Sequence, residues 1–241
     1  MPENIRNVVL VGHGGSGKTS LVDALLFTAG QTNRLGSVDA GNATTDSDPE
    51  EIDRKGSISL GLAPVMWKGA KINLLDAPGP ADFIGEVRAA LRAADLALFV
   101  VSGVEGPEVQ TEVIWRIAEQ EGLARAFFIN KLDRERSDYT RTVGQLRALF
   151  GKGVAPVEIP IGKEHDLRGI AGVVANHAFL YENHQPKGTE TDVPAEVQES
   201  LDTHREQLIE AVVENDDALL EAYFEGDKPS DEQLVAGLRA G

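Results

Sequence analysis

Eight consecutive residues carry the sharpest chemical signal in this chain: Gly12, His13, Gly14, Gly15, Ser16, Gly17, Lys18 and Thr19, with Ser20 following. They fill every fixed position of G-x-x-x-x-G-K-[ST], the loop that cradles phosphates. Glycine tolerates positive φ, so the backbone can curl around phosphate oxygens. The loop N–H groups and the N-terminus of the next helix then face the anion. Lys18 can reach the β- and γ-phosphates of a nucleotide, and the Thr19 hydroxyl can ligate Mg²⁺. Such a loop needs a strand before it and a helix after it. Residues 7–11 read as the strand and residues 20–27 as the helix. The alternative is a Gly-rich strand-to-helix turn that binds nothing.

A phosphate loop does not choose a base. Asn130-Lys131-Leu132-Asp133 supplies the base reading, directly after the apolar run 126–129. Loops at the carboxyl ends of strands are where open α/β sheets bind ligands. Guanine presents a ring N–H and an amino group on one edge, and the Asp133 carboxylate can accept from both. Adenine lacks that donor pair. The Lys131 stem can cover the base face, and Asn130 can tie this loop to the phosphate loop. A lone N-K-x-D is otherwise an ordinary turn.

Asp76-Ala77-Pro78-Gly79 is the third element, after the strand-like run 71–75. In GTP switches the Asp of D-x-x-G reaches Mg²⁺ through water, and the Gly N–H senses the γ-phosphate. Alone, D-x-x-G is a common turn. In order with the other two motifs it points to a guanine-nucleotide switch using GTP or GDP with Mg²⁺.

The elements that must position these motifs alternate. Strand patterns cover 7–11, 71–75, 96–101 and 126–129, and helix patterns cover 18–28, 82–94, 107–120 and 139–150. Residues 57–67 and 71–75 read as a hairpin around Lys68-Gly69-Ala70. Residues 31–55 are polar and lack apolar periodicity, so they read as a long functional loop. This order predicts an α/β fold with a doubly wound, mostly parallel sheet. Residues 154–161 read as a further strand of that sheet. Beyond it, 169–181 reads as a short β region, 182–193 is polar and contains Gly and Pro, and 194–213, 216–224 and 230–239 read as helices. Ser230 and Gln233 stand at capping-box spacing.

With these motifs quoted, the chain resembles the translational GTPases, and elongation factor G and its paralogues in particular. The resemblance runs over nearly all 241 residues. Its marks are 12–20, 54–59 (Arg-Lys-Gly-Ser-Ile-Ser), 76–83, 103–115 and 130–134. It implies a P-loop GTP-binding domain over 1–160 and an inserted α+β subdomain over 161–241. It implies that Ser57 stands for the switch I threonine that meets Mg²⁺, beside Thr19 and Asp76. Ribosomes would be the partner, with the stalk protein meeting the insert. By the same resemblance, a last sheet strand and a base-backing loop would follow Gly241, as would the later domains. The chain is therefore expected to be a fragment, with its insert truncated.

Two departures bear on catalysis. The family places a water-orienting histidine after the D-x-x-G glycine, and this chain has Pro80 there. Proline offers no side-chain donor or acceptor and no N–H. It also biases Gly79 toward extended geometry. The family loop usually carries an aspartate where this chain has Gly15. Both changes predict slow hydrolysis with binding retained, as in the elongation factor G-like paralogues. The competing reading is that His13 or a ribosomal group supplies the missing function, although the place of His13 inside the phosphate loop favours a structural role.

Composition narrows the remaining choices. There are no cysteines, so disulfides and thiolate metal sites are excluded, and the five histidines are scattered. No apolar run is long enough to span a bilayer. The N-terminus shows no signal-peptide pattern. A cytoplasmic location without membrane partners is the expectation. The net charge of −16 argues against a broad nucleic-acid surface in this segment. Much of the acid lies in 190–232, either a solvated helical face or a partner surface. Three classes stay open: a GTP-binding module with slow turnover, an active ribosome-stimulated GTPase in translocation, recycling or ribosome protection, and a phosphate-loop enzyme outside translation.

Overall fold

Strand β1 (Ile5–Val11) shows why the phosphate loop sits where it does. Val9, Leu10 and Val11 are fully buried, as a strand covered on both sheet faces requires. The structure is a computed structural model and describes residues 4–181 and 187–240. These residues fall into two compact units, Met1–Lys131 and Leu132–Gly241. The polar stretch 182–193 is described only from residue 187, and its residues 189–191 form a strand.

The first unit contains α1 (Lys18–Thr28), α2 (Pro49–Arg54), β2 (Gly61–Trp67), β3 (Ala70–Asp76), α3 (Ile84–Ala93), β4 (Leu96–Ser102), α4 (Val109–Gln120) and β5 (Ala124–Asn130). The sheet order is β2-β3-β1-β4-β5. β1 runs parallel to β3 and β4, β5 runs parallel to β4, and β2 is antiparallel to β3. The strand order turns outward on both sides of β1, so a crevice opens at its carboxyl end. One sheet face packs Val9, Val11, Leu75 and Phe99 with Val87 and Leu91 of α3 and Ile114 of α4. The other packs Leu10, Leu74 and Val100 with Val22 and Leu26 of α1. Each such fully buried side chain contributes about 1.5–3 kcal/mol. Helices on both faces make this the doubly wound α/β architecture, with a mixed sheet.

The hairpin from β2 to β3 turns on Lys68 (φ 46°) and Gly69 (φ 83°), with Trp67 opposite Ala70. Two positive φ angles make a turn whose twist matches the strands. Two sequence expectations change here. The long loop over 31–55 contains α2, whose Asp48–Glu51 capping box and first-turn Pro49 start a helix without apolar periodicity. Pro107 lies ahead of α4, because Glu108 takes the cap position.

The second unit contains α5 (Tyr139–Phe150), β6 (Glu158–Ile161), β7 (Gly169–Gly172), β8 (Ala178–Leu180), β9 (Thr189–Thr191), α6 (Ala195–Val213), α7 (Asp217–Phe224) and α8 (Asp231–Ala240). Its strands form an antiparallel sheet in the order β6-β7-β8-β9. The strand expected to extend the first sheet, 154–161, therefore pairs with β7 and not with β5. Ile159, Ile161 and Ala171 pack with Leu201, Leu208, Val212 and Leu234 into this unit's own core. Ser230 and Gln233 form the reciprocal cap at the start of α8.

Candidate functional site

The phosphate loop joins β1 to α1 through Gly12 (φ 143°), Gly15 (φ 78°) and Gly17 (φ 97°), values that L side chains rarely adopt. Asn130 ends β5 beside this loop, and its side-chain amide donates to the Ser16 carbonyl at 2.9 Å. A Cβ on Gly17 would collide with that same amide nitrogen. Lys131 follows with φ 60°. Asp133 belongs to the second unit, is 65% exposed, and stands 3.7 Å from the Arg134 guanidinium.

Lys18 is buried, and its ammonium donates to the Gly12 carbonyl at 3.1 Å and the His13 carbonyl at 3.0 Å. Burial pulls its pKa down to about 8, against the opposing pull of Asp76 and Asp46. Gly79 lies directly against the loop: a Cβ there would stand 2.6 Å from Gly14 Cα and 2.9 Å from Lys18 Nζ. No other residue fits at Gly79 without moving the loop. Pro80 is extended at φ −63°, ψ 143° and precedes a short 3₁₀ turn, Ala81–Phe83. Ser20 is on the exposed side of α1.

The hydroxyls of Thr19 and Ser57 lie 3.1 Å apart. They come from elements 38 residues distant in sequence. Ser57 donates to Asp46 at 2.6 Å, and Thr45 donates to Asp76 at 2.6 Å. Thr44 donates to Asp23 through its hydroxyl at 2.5 Å and its N–H at 3.1 Å. Three successive residues thus grip groups on α1, on β3 and ahead of β2. Glu51 adds to this by accepting the N–H groups of Ile58 and Ser59 at 3.0 and 3.1 Å.

Asp46 and Asp76 are 4% and 1% exposed. Burial raises the pKa of both carboxyls, and the hydroxyls of Ser57 and Thr45 oppose that rise. Each keeps one buried oxygen without a partner among the described residues, Asp46 Oδ2 and Asp76 Oδ1. Such oxygens are costly unless something positive meets them. Among the described residues no three His, Cys, Asp or Glu side chains form a metal-binding group. Two hydroxyls backed by two carboxylates are instead a hard-oxygen set, which suits Mg²⁺. Asp46 was not singled out by its sequence context. Nothing distinguishes it from Asp48 and Asp53 in an acidic loop until its burial is known.

Residues 3–230 match the sequence profile of the elongation factor Tu GTP binding domain. The chain belongs to that family. Over 238 residues it is 37% identical to elongation factor G 2 of Saccharophagus degradans, a match that covers 98% of this chain and 34% of that protein. A crystal structure of a protein from Thermus thermophilus is similar at a TM-score of 0.89 and 40% identity, covering 97% of this chain and 35% of that one. The chain thus spans about a third of the length of these relatives. It is a GTP binding domain of the elongation factor Tu type, similar to the corresponding part of elongation factor G 2. Among the described residues, no helix of this domain is long and apolar enough to cross a membrane.

Proposed function

We propose that this domain binds GTP and GDP with Mg²⁺ as the switch of a ribosome-associated factor, and that it turns GTP over slowly. The reading rests chiefly on the gathering of Lys18, Thr19, Ser57, Asp46 and Asp76 at the end of one glycine loop. Lys18 and the loop N–H groups would hold the phosphates. Thr19 and Ser57 would hold Mg²⁺, with Asp76 and Asp46 behind them. When bound, Mg²⁺ neutralises phosphate charge. Asn130 braces the loop, Lys131 covers the base, and Asp133 reads guanine by accepting two hydrogen bonds. Residues 1–160 are read as the nucleotide-binding part and 161–241 as the inserted subdomain, the surface offered to a ribosomal stalk protein. A cytoplasmic location follows from that role.

Slow turnover follows from Pro80, whose side chain presents neither donor nor acceptor beside Gly79. The test is equilibrium binding of GTP, GDP and ATP, followed by single-turnover GTP hydrolysis with and without ribosomes. Tight guanine binding with weak ATP binding and slow turnover is the expected result. Equal binding of ATP would overturn the guanine reading. Brisk ribosome-stimulated turnover would overturn the slow-switch reading and leave the nucleotide site standing.

A further inference from the structure

A cavity of about 390 Å³ opens beside the phosphate loop, walled by His13 and Gly14, by Gly79 and Pro80, and by Glu108 and Val109 at the start of α4. Of the described side chains that line it, His13 and Glu108 are the ionisable ones. They meet across it, His13 Nε2 to Glu108 Oε2 at 3.2 Å, and the imidazole is 48% exposed. A carboxylate at Nε2 keeps the neutral ring's proton there and leaves Nδ1 as an acceptor. No described residue hydrogen-bonds to Nδ1. A carboxylate that fixes an imidazole tautomer while the other ring nitrogen takes a proton is a known working arrangement for a base. Gly79, on the same wall, abuts Gly14 and Lys18. On the proposed reading of the nucleotide site, those groups mark the reacting end of the phosphate chain.

We infer that His13, held by Glu108, orients the water that attacks GTP in this chain. Because it rests on the GTP-binding reading above, it concerns only how the residual turnover proceeds. The water in the cavity donates one O–H to Nδ1. Its oxygen bonds to the γ-phosphorus as that atom's bond to the β–γ bridging oxygen breaks. The electron pair leaves with GDP, and the proton passes from Nδ1 to the released phosphate. Glu108 is the positioning residue. It approaches from the cap of α4, and Glu105, in the loop after β4, is the other carboxylate within electrostatic reach, its pKa lowered chiefly by the Ser102 hydroxyl. Lys18, whose ammonium donates to the His13 carbonyl, is the facing cation of the phosphate loop.

The experiment is single-turnover GTP hydrolysis by the full chain, at protein concentrations that saturate GTP, from pH 5.5 to 8.5. Fluorescent GDP binding is measured on every variant. His13→Gln is expected to lower the saturated rate by about 10²-fold. Glu108→Gln is expected to lower it by less and to move the acidic limb to lower pH, because the carboxylate no longer favours the imidazolium. A merely structural Glu108 would not move that limb. An unchanged saturated rate in His13→Gln, or wild-type turnover no faster than free GTP, would overturn the inference. Failure of the wild type to bind GDP would instead overturn the reading of the nucleotide site. If His13→Gln loses GDP binding, the Glu108→Gln profile decides, and an unmoved acidic limb overturns the inference.

Discussion

Thr45 donates its hydroxyl to Oδ2 of Asp76 at 2.6 Å, across 31 residues of chain. The donor lies in the loop ahead of α2, and the acceptor ends β3. The same threonine is flanked by Thr44, on Asp23, and by Asp46, on Ser57. Thr45→Val leaves the buried Asp76 carboxylate short of a donor. The expected loss is about 1–3 kcal/mol of unfolding free energy without nucleotide, read by chemical denaturation. Mg²⁺ with GDP is expected to recover most of it, since a cation at Asp76 replaces the missing donor.

Asp46→Asn removes a charge behind the Thr19–Ser57 hydroxyl pair. If Asp46 helps to hold Mg²⁺, GDP release should become faster and less sensitive to chelator than in the wild type. Stopped-flow release of a fluorescent GDP, with and without EDTA, gives the answer. An unchanged chelator response would remove Asp46 from the cation site.

Lys18 carries a pH prediction whose sign follows from its lowered pKa. Unliganded, it loses its proton near pH 8, whereas the unfolded side chain does so at 10.5. Between those values the unfolded chain binds more protons, so the unliganded domain gains stability as pH rises. Phosphate favours the ammonium form, so nucleotide binding above pH 8 takes up a proton and affinity falls with rising pH. Calorimetry at pH 8.5 in buffers of different ionisation enthalpy measures the uptake. Lys18→Ala should abolish it and weaken GTP and GDP alike.

Asp133→Asn presents a donor where the carboxylate accepts. GTP affinity is expected to fall on the order of 10²-fold, two charge-assisted hydrogen bonds being worth about 3 kcal/mol or more. Xanthosine triphosphate, with a carbonyl in place of the amino group, should bind the variant better than GTP does. Competition titration of the two nucleotides checks the assignment, and intact GTP binding would move base reading to another residue.

Pro80→His places an imidazole beside Gly79. The single-turnover rate is expected to rise by about 10²–10⁴-fold if a missing water-orienting group limits hydrolysis. No rise would mean that turnover is limited elsewhere.

The phosphate loop, the D-x-x-G turn and Asn130 were legible because the three motifs stand in order, each directly after a strand-like run. Gly17 is forced by φ 97° and by the Asn130 amide at its back. The first sheet was legible because β1 and β4 are continuous apolar runs. Helix α2 was not, since it lacks an apolar stripe, yet its Asp48-Pro49-Glu50-Glu51 start was a readable capping signal. The pairing of β6 with β7 was hidden, because a four-residue strand carries no mark of its neighbour. Asp46 and the His13–Glu108 pair were hidden for another reason. Their significance lies in burial and in proximity across 95 positions of chain, which local pattern does not encode.

The phosphate loop is braced by a residue 114 positions downstream, since Asn130 holds the Ser16 carbonyl. A ribosome adds that length in roughly 6–23 s at ordinary elongation rates. Throughout that interval the nascent loop has its glycines and its lysine but not its brace. The loop therefore acquires its brace late in the chain's own synthesis, with the emergence of β5 and not with that of the loop.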